Sequence, residues 1–141
     1  MSKKIILKKL EQLLKLLDEL KAWLVEHPDF GADLPLLRAS ERNLELIMEL
    51  ATDINALILG KLKRPIPDTY RGSFEDLGKA GALGKALLAK LIGTVKLRNK
   101  LVHHYDFKED FKKFYRSLNS QIPVLEKYSA AVLKFSEKFK K

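Results

Sequence analysis

The chain has 141 residues, 46% hydrophobic and 32% charged, which suits one domain with a packed core under a charged surface and argues against a disordered chain. Cysteine is absent, which excludes a disulfide framework, a thiolate zinc site, an iron–sulfur cluster and a thiol nucleophile. The formal net charge of +9 is uneven, +2 over residues 1–95 and +7 over residues 96–141, so the last third would attract a polyanion, or else forms a lysine-rich solvated face.

The opening MSKKIILKKL holds no uncharged run longer than three residues, and no later stretch approaches the ~18 apolar residues of a membrane span. A cytoplasmic protein without a membrane partner is expected. There are 27 leucines and 21 lysines, both good helix formers, and few glycines or prolines to turn an all-β chain.

Helical periods then fill the chain. Ile6, Leu10, Leu13, Leu17, Leu20 and Leu24 recur in steps of four and three, a seam along one long helix. Ile5, Leu7, Leu14, Leu16 and Trp23 widen that seam, and Pro28 closes it, with His27 facing solvent. A second helix starts near Asp33 as its cap, with Pro35 in the first turn. It buries Leu37, Leu44, Ile47, Ala51, Ile54 and Ile58, with Ser40 at the one polar position, and Gly60 ends it. Residues 61–72 read as a loop.

Ser73 with Asp76 fits a capping box for a short helix that Gly78 and Gly81 end. A third long helix is expected from about Leu83 to His104, burying Leu87, Leu91, Val95 and Leu101, with Gly93 marking a close backbone contact. Asp106 with Glu109 fits another capping box, and the helix from Phe107 would bury Phe111, Phe114 and Leu118. Ser120 and Pro123 mark a restart or kink, after which Val124, Tyr128, Ala131, Val132, Phe135 and Phe139 share one face. The expected fold is all-α, an antiparallel four- to five-helix bundle forming a single domain over residues 1–141.

Chemistry concentrates in Lys96-Leu97-Arg98-Asn99-Lys100-Leu101-Val102-His103-His104-Tyr105-Asp106, which holds two of the three histidines and lies in the basic third. Arg98 and His103 stand five apart, about 140° around an ideal helix, so a single straight helix does not aim both at one atom. Two copies of this helix end meeting across a twofold axis would gather them, as would a bent helix end. Histidine can take the proton of a ribose 2′-hydroxyl near neutral pH, and arginine can hold a phosphate through two hydrogen bonds. Tyrosine can donate to a phosphate oxygen or stack on a base. Neither step needs a cofactor or a metal. From the pattern alone, an arginine and a histidine five apart at a helix end are more often plain surface residues.

The string Arg98-Asn99-Lys100-Leu101-Val102-His103-His104-Tyr105 resembles the Arg-x4-His-x-Tyr signature of HepT-like toxins of the HEPN superfamily. Arg38-Ala39-Ser40-Glu41-Arg42-Asn43-Leu44-Glu45 with Asp53-Ile54 resembles that family's second helix. Pro67-Asp68-Thr69-Tyr70-Arg71-Gly72-Ser73-Phe74 with Leu77 resembles its central loop, with Gly72 where glutamate is more usual. The similarity spans roughly residues 35–135 in order.

The resemblance implies a dimer built through the motif helix, with metal-independent endoribonuclease activity that leaves a cyclic phosphate. Arg98 and His103 would be catalytic, and Asn99 a supporting residue. Tyr105 would be the residue that a minimal nucleotidyltransferase antitoxin modifies with AMP. Asp53 would orient Arg98 from the neighbouring helix, or else be an exposed or capping aspartate. Lys96, Lys100 and His104 would contact RNA phosphates. Tyr70 and Arg71 would pack the loop onto the bundle in preference to forming a lip over a dimer cleft. The alternative functions are a non-catalytic substrate-binding subunit of a nucleotidyltransferase, and a helical module whose basic tail binds an acidic partner.

Overall fold

Five helices carry the chain in the computed structural model, which describes residues 3–27, 34–103 and 107–139. The side chains of Leu34 and of residues 101–103 and 107–113 lie outside that description. The helices are α1 (Lys3–Glu26), α2 (Leu34–Lys61), α3 (Tyr70–Lys79), α4 (Lys85–His103) and α5 (Phe107–Ser136). No strand occurs among the described residues, and none of the described helices is long and apolar enough to cross a membrane.

The six-residue seam of α1 is the buried face of that helix, residue for residue. Two of the residues expected to widen it, Ile5 and Leu14, are exposed, so the stripe is narrower than its apolar content suggests. The reason lies in the packing partners: among the described residues α1 packs chiefly on α2 and α5, and one seam suffices for both. Lys9 pairs with Asp53 at 3.3 Å, and the Asn43 amide donates to the Leu16 carbonyl at 3.1 Å, so α1 and α2 run antiparallel. Helix α5 packs on α1 and α4 and reaches α2 through the Tyr128 hydroxyl, and α3 packs on both α2 and α4. His27 is exposed as expected.

Both sides of the α2–α3 connection differ from the capping pattern in the sequence. Helix α2 runs past Gly60 to Lys61, and Lys63, at φ 57°, takes the left-handed position. The Arg64 amide donates to the Leu59 carbonyl at 2.9 Å and the Lys63 amide to Gly60 at 3.0 Å, a Schellman closure with lysine where glycine is favoured. Helix α3 then starts at Tyr70, three residues before Ser73. Its cap is Thr69, whose Oγ1 accepts from the Gly72 amide at 3.0 Å. Ser73 is inside the helix and buried, because Asn55 on α2 offers it a partner and donates to its Oγ at 2.8 Å.

Helix α3 closes with a second Schellman arrangement, here with Gly81 at φ 92°. Gly93 is no close-approach site, since an added Cβ would meet only the Gln121 amide at an ordinary 3.7 Å. Pro123 sits inside the continuous α5 and does not restart it. Its missing N–H would have served the Asn119 carbonyl, and both residues are exposed, so water can serve that group instead. The caps expected at Asp33 and Asp106, and the burial expected for Leu101 and Phe111, lie outside the described residues and side chains.

Candidate functional site

Arg98 sits on the second half of α4, one residue after the buried Leu97 and three after the buried Val95. That register leaves it half-buried at the seam between α4 and the start of α3. Its guanidinium carbon lies 4.7 Å from the centroid of the Tyr70 ring. Its Nε is sealed from solvent and has no hydrogen-bond partner among the described residues. A buried donor without an acceptor costs stability.

A cleft of about 590 Å³ opens beside this stack. Glu49, Thr52 and Asp53 form its α2 wall, the Pro67–Arg71 segment forms the opposite wall, and Val95 and Asn99 line it from α4. Asn99 is exposed at the cleft and next to Arg98 in the chain. Asp53 also reaches the cleft, but its carboxylate pairs with Lys9, and no carboxylate pairs with Arg98 among the described residues. The side chain that meets the guanidinium is Tyr70, expected from the sequence to pack the loop onto the bundle in preference to forming a lip over a dimer cleft. Tyr70 does pack against the core edge, and it does so with its ring under Arg98.

Lys96 and Lys100 are exposed one turn apart on α4. His103 is the last residue of α4, and its side chain lies outside the description, as do His104 and Tyr105 altogether. Among the described residues no three His, Asp or Glu side chains converge as metal ligands would.

The profile of the family described as Ribonuclease HepT-like matches residues 6–132. The chain belongs to the HepT-like ribonuclease family. A tRNA nuclease HepT from Aphanizomenon flos-aquae is 37% identical over 103 residues, 72% of this chain and 70% of the relative. Among solved structures, the tri-AMPylated Shewanella oneidensis HEPN toxin in complex with an MNT antitoxin superposes with a TM-score of 0.81 at 22% identity, covering 92% of this chain and 97% of that one. A toxin–antitoxin MntA–HpeT variant gives a TM-score of 0.82 at 21% identity, covering 93% and 98%. At those identities the likeness is one of fold, and it places this HepT-like chain on the helical frame of HEPN toxins.

Proposed function

We propose that this HepT-like chain is a metal-independent endoribonuclease and the toxin half of a toxin–antitoxin pair. The observation that carries the reading is Arg98: a guanidinium over the Tyr70 ring that lines a cleft, with no carboxylate partner among the described residues, five residues before His103 in a ribonuclease family. His103 would take the proton of a ribose 2′-hydroxyl, whose oxygen attacks the adjacent phosphorus. The bond to the 5′-oxygen breaks, that oxygen leaves with a proton, and a 2′,3′-cyclic phosphate remains. Arg98 would hold the phosphoryl oxygens as charge grows on them. Asn99 would support that geometry, and Lys96, Lys100 and His104 would hold flanking phosphates.

Residues five apart diverge by about 140° around an ideal helix, so a site composed across a homodimer would bring Arg98 and His103 to the same phosphodiester. Tyr105 is the proposed acceptor of AMP from a minimal nucleotidyltransferase antitoxin, with the tyrosine oxygen attacking the α-phosphorus of ATP and pyrophosphate leaving. A bulky anion there would compete with substrate phosphate for Arg98. The nuclease named for the relative acts on tRNA, and tRNA is the first substrate to offer.

The test is incubation with tRNA and a mixed RNA pool in EDTA, beside an Arg98→Ala, His103→Ala double variant. Cleavage by the first and none by the second is expected. Intact RNA with the wild-type chain, Tyr105 being free of AMP by mass, would favour the accessory-subunit reading instead.

A further inference from the structure

Helix α3 has one buried face, made by Ser73, Phe74 and Leu77. Tyr70 stands three and four residues before the first two, so it belongs to that same face. The face is pinned twice. Asn55 holds Ser73 from α2, and the Phe74 ring meets the Tyr128 ring edge-on at 5.6 Å. At the start of the helix, Gly72 lets the preceding segment fold back: a Cβ there would stand 2.8 Å from Thr69 Oγ1 and 3.1 Å from the Pro67 side chain. The direction of the Tyr70 ring is thus set by the buried core on one side and a tight cap on the other.

The partner of that ring is the Arg98 guanidinium, 4.7 Å from its centroid. A guanidinium held by a carboxylate would spend its in-plane N–H fork on that pair and have its charge offset. A guanidinium stacked on an aromatic face is held through its plane, and its in-plane donors stay available to a phosphate. The side chain cannot be aimed through Nε, which is buried without an acceptor among the described residues.

We infer that Tyr70 is the positioning residue of the reaction: its ring fixes the plane of the Arg98 guanidinium and leaves the N–H fork free for the phosphoryl group. The inference rests on the nuclease reading above. It adds that the α3 start, a segment outside the Arg-x4-His-x-Tyr motif, decides how well the arginine works.

The experiment compares Tyr70→Leu, Tyr70→Phe and Tyr70→His with the wild-type chain in steady-state cleavage of one RNA, with melting curves of each. Tyr70→Leu should lower kcat by ~10- to 100-fold with KM within ~3-fold, because the charge remains and only its alignment is lost. Tyr70→Phe should stay within ~3-fold of wild type, and Tyr70→His should fall between, so the order of rates decides the matter even if one variant melts early. The stack itself is read without substrate from the Arg98 Nε–Hε signal in nitrogen-15 NMR, ring-shifted in the wild type and Tyr70→Phe and unshifted in Tyr70→Leu. Wild-type kcat in Tyr70→Leu, or equal loss in Tyr70→Phe and Tyr70→Leu, overturns the role. An unshifted wild-type signal with intact cleavage overturns it and leaves the nuclease reading standing. A shifted signal with no cleavage by the wild-type chain overturns the nuclease reading and the role with it.

Discussion

The Tyr128 hydroxyl donates to the Asn55 side-chain oxygen at 2.6 Å, and both residues are fully buried. Asn55 passes the bond on, its amide donating to Ser73 Oγ, so one polar chain ties α5 through α2 to α3. Each side-chain nitrogen and oxygen of Tyr128, Asn55 and Ser73 thereby has a partner, which is what makes such a network stabilising when its members are dehydrated.

Removing the hydroxyl breaks it. Tyr128→Phe leaves the Asn55 oxygen buried without its donor, and the expected loss is ~1–3 kcal/mol in urea unfolding. A loss below ~0.5 kcal/mol would mean that a water enters and donates to the Asn55 oxygen in place of the hydroxyl.

The same burial raises the Tyr128 pKa well above the ordinary tyrosine value. Above pH ~10 the unfolded chain releases this proton while the folded chain retains it. Stability is therefore full below pH ~10 and falls as pH rises beyond it. Unfolding titrations of the wild type should show this alkaline decline, and Tyr128→Phe should show a shallower one. Equal slopes for the two would remove Tyr128 as the cause.

Helices α2 and α3 end in the same Schellman hydrogen bonds, one around Lys63 at φ 57° and one around Gly81 at φ 92°. A lysine in left-handed backbone costs ~1 kcal/mol that glycine avoids, so Lys63→Gly should raise stability by up to ~1 kcal/mol despite the more flexible unfolded chain. Gly81→Ala should lower it by ~1–2 kcal/mol, and through backbone conformation alone, because open space surrounds the added methyl. Opposite signs in denaturant midpoints are the signature; like signs would contradict the shared geometry.

These helix ends mark where the sequence stops being legible. The seam of α1 could be read because a helix packed on one side imposes its own period on the apolar residues, and all six fall on the buried face. Ser73 with Asp76 fits a capping box just as well by spacing, yet Ser73 is claimed by Asn55, 18 residues earlier, and the cap passes to Thr69. Local patterns say nothing of a distant donor. Pro123 likewise reads as a break until both it and Asn119 turn out to face solvent. In the candidate site Arg98 and Asn99 are legible from one motif, whereas the Tyr70 ring beneath Arg98 comes from another element and carries no spacing signal.

Lys96 and Lys100 are exposed, a turn apart, on the helix that carries Arg98. If they contact phosphates of single-stranded RNA, each alanine substitution should reduce the slope of log Kd against log salt by ~0.7. Binding of a 2′-O-methylated RNA, which cannot be cut at the 2′ position, isolates this term. Slopes unchanged in both variants would place the RNA on another face of the bundle.

Arg98 should show the reverse of a structural residue. Its Nε is buried without an acceptor among the described residues, and that orphaned donor costs ~1–3 kcal/mol, against ~0.5–1 kcal/mol returned by the stack on Tyr70. Arg98→Met fills similar volume, removes the orphan and can keep a sulfur–aromatic contact with the ring. The expected outcome is unchanged or increased stability, by up to ~1 kcal/mol, together with loss of RNA cleavage by at least ~100-fold. Paired unfolding and cleavage measurements on one preparation check both halves. A destabilisation beyond ~2 kcal/mol would mean that the guanidinium holds the bundle together, and its place over the Tyr70 ring would then need no catalytic explanation.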